Sequence, residues 1–274
     1  MIKAIILATD LSENFLPLSK VIPPELWPLG FRPIFYYLLQ EIKAAGINNV
    51  FFVLNNRKKL IPSYFKKDLA MEKILKKKKA ERFLADLKGL EEFLKDFSLF
   101  FISPKKLQGN GDALLQIKAK IAKEPFAVLS CDDIMDSKIS PISQLLKIFK
   151  TCQRPIIGLN QVGQEKVSNY SVAATEKIAN RLFKIKAIVE HPLPGQAPSN
   201  LAILNKCILI PEIFDYLKNQ KPNEFGEIEL ISALKNVLKD GKIIYGYELE
   251  GKWLECRDKE SYLKSNFYLL SKNH

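Results

Sequence analysis

The sequence is poor in the residues that build metal and disulfide sites. It has two histidines, one of them the last residue, and four scattered cysteines: Cys131, Cys152, Cys207 and Cys256. No Cys-x-x-Cys pair occurs, which argues against both a zinc site and a disulfide framework and suits a reduced, cytoplasmic setting. No apolar run approaches 18 residues, so no membrane span is expected. The apolar stretch within Met1 to Ala8 is too short for a signal peptide and reads as a buried first strand. No internal repeat, low-complexity tract or linker interrupts residues 1–274, so one domain is expected. Glycine is missing at one telling place. The turn Thr9-Asp10-Leu11-Ser12-Glu13-Asn14, after the strand Ile5-Ile6-Leu7-Ala8, has no glycine and no cation, but two acids. A turn that cradles phosphates normally relies on both glycine and a cation.

The chain is 47% hydrophobic with a net charge of +12, enough apolar content for a sizeable core and a balance that favours anionic partners. Much of the excess lies within 57–95, in Arg57-Lys58-Lys59, Lys66-Lys67 and Lys76 to Lys79. This reads as a solvated helix face. Nucleic-acid binding is the less favoured reading, because no recognisable motif is present and few aromatics are interleaved for base stacking.

Strand and helix signals alternate. Strands are expected at 3–8, 49–54, 98–102, 126–130 and 155–160, with helices at 33–45, 111–122 and 142–150. In the first helix Ile34, Leu38, Ile42 and Ala45 share a face, Pro33 lies near the start, and Gly46 ends it. A long helical insertion at 63–95 carries Leu69, Ile74, Phe83, Leu84, Leu87 and Leu90 on a face that could meet a partner. Strands at 181–189 and 200–209, helices at 211–217 and 227–239, short strands within 242–254 and a closing helix at 258–271 follow. The series implies an α/β fold with a mixed, mostly parallel central sheet and helices on both faces. Ligands in such sheets bind beyond the carboxyl ends of the strands. Residues 9–19 and the pair Asp132-Asp133 should therefore meet over one cleft. Acids there suit Mg²⁺ held between carboxylates and phosphates, although Asp132 could equally cap the following turn.

Several stretches taken together carry a resemblance. They are Leu16-Pro17-Leu18-Ser19-Lys20 with Ile22-Pro23-Pro24-Glu25, then Val189-Glu190-His191-Pro192, the run Ala197-Pro198-Ser199-Asn200-Leu201-Ala202-Ile203, and Gly226-Glu227-Ile228-Glu229-Leu230. In order along nearly the whole chain, they resemble the bacterial UTP–glucose-1-phosphate uridylyltransferases, within the sugar-1-phosphate nucleotidyltransferases. The resemblance implies a Rossmann-like nucleotidyltransferase fold. It also implies in-line attack of a sugar 1-phosphate on the α-phosphorus of a nucleoside triphosphate, with Mg²⁺ as cofactor. By position it implies nucleotide contacts from Leu11, Ser12, Glu25, Gly109, Gly111 and Asp132. Sugar contacts would come from Glu190, Tyr170, Ser171, Asn200 and Ala202, metal ligation from Asp132 and Glu255, and the catalytic position that meets the sugar phosphate is His191; Lys20 is a further catalytic candidate, as a substitute source of charge.

The sequence departs from the pattern where charge matters. Both loop glycines of GxGTRxLP are replaced, at Asp10 and Ser12, its threonine is Glu13 and its arginine Asn14. The lysine of IPKE is Pro24, the lysine of EKP is His191, the glycine of the tyrosine-glycine pair is Ser171, and the base-reading glutamine is Pro104. Lys20, Lys105 or Lys106 could supply the missing charge. Two readings follow. One is a working enzyme using UTP and a sugar 1-phosphate. The other is a catalytically impaired paralogue that binds a UDP-sugar or regulates an intact partner, as a homo- or hetero-oligomer.

Overall fold

The computed structural model describes residues 2–121 and 123–272. Its strands are β1 (Lys3–Ala8), β2 (Pro28–Leu29), β3 (Arg32–Pro33), β4 (Asn49–Leu54), β5 (Ser98–Ile102), β6 (Phe126–Ser130) and β7 (Asp133–Asp136), followed by β8 (Ile156–Gln161), β9 (Ser171–Ala179), β10 (Leu182–Glu190), β11 (Leu201–Leu209), β12 (Tyr245–Glu248) and β13 (Lys252–Glu255). The helices are α1 (Ile34–Ala44), α2 (Leu60–Tyr64), α3 (Leu69–Lys77), α4 (Glu81–Leu94), α5 (Gly109–Ile121), α6 (Pro141–Cys152), α7 (Ile213–Asn219), α8 (Leu230–Lys239) and α9 (Lys259–Lys272). The helix expected at 111–122 is thus found, except that Ala122 lies outside the described residues.

The local causes are plain. In α1 the positions Phe35, Leu38, Leu39 and Ile42 are buried, and Gly46, at φ 72°, ends the helix in a conformation that costs other residues strain. Pro141 sits in the first turn of α6, and the Ser140 hydroxyl accepts from the Ser143 N–H at 3.1 Å to cap it. β1 is buried on both faces. Ala4, Ile6 and Ala8 join the core under α1 and α6, while Ile5 and Leu7 join the core under α5, α7 and α8.

Nine strands form the main sheet, in the order β5-β4-β1-β6-β11-β8-β12-β10-β9. The pairs β5–β4, β4–β1, β1–β6 and β8–β12 are parallel; β6–β11, β11–β8, β12–β10 and β10–β9 are antiparallel. The sheet is therefore mixed, and the expected parallel majority is corrected. Strand periodicity carries no information on direction. The overlooked local signal was the tight connection Asn180-Arg181 between β9 and β10, with Arg181 at φ 59°, which makes a hairpin. The charged insertion is α2, α3 and α4 rather than one long helix. It breaks at Lys78-Lys79-Ala80, and Leu69, Ile74 and Phe83 are exposed.

Because β1, β4 and β6 run parallel, their carboxyl ends share one sheet edge. That edge carries the turn 9–19, the turn 55–59 and Cys131-Asp132. A small second sheet pairs β7 with β13 and sets Asp133 opposite Glu255.

Candidate active site

The glycine-free turn after β1 is closed by its own acid. Asp10 Oδ2 accepts from the Ser12 N–H at 3.1 Å and from the Ser12 hydroxyl at 3.2 Å. This is an aspartate turn, in which a side-chain carboxylate takes the place of a backbone acceptor. Ser12 is held at φ 55°, the left-handed region that glycine normally fills, and its carbonyl accepts from the Ser19 hydroxyl at 2.8 Å.

Behind this turn lies Lys58, which enters from the loop after β4 and is buried. Its ammonium donates to Asp10 Oδ1 at 2.8 Å, to the Ser12 hydroxyl at 3.0 Å and to Glu25 Oε1. Burial works to lower the Lys58 ammonium, but Glu25 and Asp10 outweigh it and hold it above the ordinary lysine value. The surrounding protein works to raise the Asp10 carboxyl although its side chain is largely open to solvent, and Lys58 and the Ser12 hydrogen bonds win, leaving it low. Glu25 goes the other way. Full burial raises it against the pull of Lys58, and its Oε2 has no hydrogen-bond partner among the described residues.

The turn borders a cleft of about 310 Å³, lined by Asp10, Leu11, Ser12, Glu25, Asp132 and Arg257 among others. Asp10 and Asp132 also border a second cavity of about 170 Å³, with Thr9, Asn110, Ser130 and Asn205 over an apolar floor of Val128, Ile157 and Ile203. Asp132 accepts from the Ser130 hydroxyl at 2.9 Å. Burial, with Asp10 and Asp133 adding to it, pushes the Asp132 carboxyl up to about 7 against the opposing Arg257. Its neighbour Asp133 is fully buried and structural, accepting from the Asn205 N–H at 2.7 Å and the Trp253 indole at 3.0 Å.

The candidate residues are spread over several places. Leu11, Ser12, Glu25 and Asp132 share the first cleft. Glu255 accepts from the Tyr170 hydroxyl at 3.0 Å and lies 3.8 Å from Arg257 Nε, while the Arg257 guanidinium sits 4.9 Å over the Tyr170 ring. Ser171 pairs with Glu190 across β9–β10, and Glu190 Oε1 accepts from Lys235 at 2.8 Å. Ala202 is buried opposite Val172, and the exposed Asn200 accepts at its carbonyl from the Val162 N–H. Gly109 and Gly111 open α5. The Gly111 N–H donates to Ile228 O at 2.8 Å, and a Cβ at Gly109 would lie 2.6 Å from that oxygen. Lys20 and His191, like Gly109, Gly111, Tyr170, Ser171, Glu190, Asn200, Ala202 and Glu255, border neither cavity. Lys20 is exposed, and the exposed His191 imidazole faces Ser168 O at 3.0 Å.

Two cations were missed by sequence reasoning. Lys58 lay in a run read as solvated, although that run directly follows the carboxyl end of a strand paired with β1. Arg257, just after Glu255, offered no motif. Among the described residues no group of three or more His, Cys, Asp or Glu is arranged to hold a metal ion. Mg²⁺ is commonly held by one or two carboxylates plus substrate phosphates, and Asp132 fits that role. Its charge is crowded by other acids, a strain that a hard cation relieves, whereas Glu255 is partly committed to Tyr170 and Arg257.

An acid- and cation-lined cleft at the carboxyl edge of a mixed α/β sheet suits a protein of the nucleotidyl transferase class. The nucleotidyl transferase family profile matches residues 3–272, and the chain belongs to that family. It is 34% identical over 271 residues to UTP–glucose-1-phosphate uridylyltransferase 1 of Staphylococcus saprophyticus, spanning 99% of this chain and 93% of that protein. It is 33% identical to the corresponding protein of Staphylococcus haemolyticus, over 96% of this chain and 90% of that one. Its fold matches a UDP-glucose pyrophosphorylase crystallised with UDP-glucose, at TM-score 0.88 and 30% identity over 99% of this chain and all of that one. The UTP-bound enzyme of Acinetobacter baumannii matches at TM-score 0.88 and 28% identity, over 98% and 93% of the two chains.

Proposed function

We propose that this chain transfers a uridylyl group from UTP to glucose 1-phosphate, releasing pyrophosphate and forming UDP-glucose. The observation that carries this reading is the end-to-end match to relatives of that activity, combined with two adjoining cavities that meet at Asp10 and Asp132. Two adjoining cavities suit two substrates whose reacting phosphates meet between them. In the transfer, a sugar-phosphate oxygen attacks the α-phosphorus in line and pyrophosphate leaves, so the protein's task is positioning and charge neutralisation. Asp132, with Glu255 as the second candidate ligand, would hold Mg²⁺ together with triphosphate oxygens, where the ion neutralises phosphate charge. Arg257 borders the cleft and offers a guanidinium to the phosphates, with its ring contact to Tyr170 fixing the side chain. Tyr170, Ser171, Glu190, Asn200 and Ala202 are the proposed sugar side of the site. A cytoplasmic setting is part of this reading, in keeping with four free cysteines.

One observation favours the second reading, an impaired paralogue that binds a UDP-sugar or an intact partner: the loop's donors are already taken by Asp10. Pyrophosphate release separates the two. The protein is assayed with Mg²⁺, UTP and glucose 1-phosphate beside a variant carrying Asp10→Gly, Ser12→Gly, Glu13→Thr, Asn14→Arg and Pro24→Lys. Turnover by the wild type well above the blank supports the enzyme. A silent wild type beside an active variant overturns it in favour of the binder.

A further inference from the structure

We propose that Lys58 is the cation that receives a phosphate group of the incoming nucleoside triphosphate, and that Asp10 is a built-in anion which that phosphate displaces. The inference rests on the nucleotidyl-transfer reading above and adds the residues and the exchange. The turn already holds an anion. The Asp10 carboxylate is gripped by a backbone N–H, a hydroxyl and an ammonium. Those are the donors that bind a phosphate oxygen, since a backbone N–H presented by a left-handed residue beside a fixed cation makes an anion-binding concavity.

The three charged partners differ in how firmly they are placed. The Lys58 and Glu25 side chains are 5% and 7% exposed, whereas that of Asp10 is 66% exposed. Lys58 itself borders neither cavity, and Asp10, which borders both, stands against it. Rotation of Asp10 into solvent disturbs little packing and opens the ammonium to the cleft, while Lys58 stays where Glu25 and the Ser12 hydroxyl hold it. The charge balance points the same way. Two carboxylates face one ammonium, and Asp10 is the exposed one of the two, so it is the anion free to leave and a phosphate replaces it like for like. Its departure also removes a neighbouring negative charge from Asp132. Glu25 is then a positioning residue that keeps the ammonium aimed at the turn.

The test is calorimetric titration with Mg²⁺–UTP and, separately, with inorganic pyrophosphate, at fixed salt. The proteins are the wild type, Asp10→Asn, the pair Lys58→Met with Glu25→Gln, and all three changes together. The paired variant leaves no unpaired buried charge, so it keeps its fold where Lys58→Met alone could lose it. Asp10→Asn keeps the shape and an acceptor but removes the competing charge. The expected result is about tenfold tighter binding of both probes, equivalent to about 1.4 kcal/mol. In kinetics the gain is expected in KM for UTP rather than in kcat. The paired variant binds both probes more weakly, and in its background Asp10→Asn gives no gain. Two results overturn the proposal: unchanged or weaker binding in Asp10→Asn, or an equal gain with and without Lys58. Tighter binding without pyrophosphate release by any variant upholds the anion site and rejects nucleotidyl transfer. Wild-type turnover with no change on Asp10→Asn does the reverse.

Discussion

Lys206→Met tests the electrostatics of the core. Lys206 on β11 is fully buried and donates to Glu41 Oε2 on α1 at 2.7 Å, while Glu41 Oε1 has no close hydrogen-bond partner among the described residues. At that separation the bare attraction is about 6 kcal/mol for an effective dielectric near 20. Desolvation takes back much of it, but removing one partner strands the other, which costs about 3–5 kcal/mol. Burial already raises the Glu41 carboxyl even with Lys206 beside it. Without Lys206 it rises further, and Glu41 escapes the full cost by taking up a proton. The folded state then holds a proton that the unfolded state releases above its ordinary pKa. Stability therefore falls as pH rises through that window, by up to about 1.4 kcal/mol per pH unit. Urea unfolding at pH 5.5 and pH 8 measures this. The variant should lose about 3–5 kcal/mol at pH 8 and clearly less at pH 5.5, and Lys206→Met with Glu41→Leu should regain most of the loss. A loss below about 1 kcal/mol at pH 8, or a double variant no more stable than the single one, would refute the reasoning.

Asp132 should make Mg²⁺ binding pH-dependent. With its carboxyl pushed up to about 7, it is protonated below neutrality and free to take a cation above. The thermal shift produced by Mg²⁺ with UTP should be larger at pH 8 than at pH 6, and Asp132→Asn should abolish the difference; an unchanged pH dependence in the variant would count against the assignment. Gly111→Ala would put a Cβ 2.8 Å from Ile228 O and from Leu217 Cδ2. A backbone carbonyl yields poorly, so the expected loss is about 1–3 kcal/mol in urea unfolding, and a neutral substitution would mean that the packing of α5 against Ile228 and α7 is looser than described. His191→Ala should change kcat/KM for glucose 1-phosphate less than about threefold, because the imidazole is exposed and faces Ser168 O; a loss of about 100-fold, or about 2.7 kcal/mol, would show that it turns onto substrate.

Much of the scaffold was legible because local patterns impose it. The apolar run from Ala4 to Ala8, the Pro33-to-Gly46 frame of α1 and the Ser140-Pro141 start of α6 each carry their own physical instruction. The resemblance located the turn 9–16, Glu25 and Asp132, and the structure places these around one cleft. Strand direction was not legible. β11 runs antiparallel between β6 and β8, a choice made by long-range pairing that side-chain alternation does not encode.

Charge was the hardest to read. Counted along the chain, the turn after β1 loses its cations and gains acids. In three dimensions the loop after β4 returns Lys58 behind the turn, against Asp10, and the residue two beyond β13, Arg257, lines the cleft in front of it. Local pattern located most of the elements, and the resemblance located the family and the replaced glycines. Long-range contacts make one lysine of Arg57-Lys58-Lys59 a buried partner of Asp10 and Glu25. The reason is physical: burial and partners, not residue type, set what a charge does, and both come from chain segments far apart in sequence.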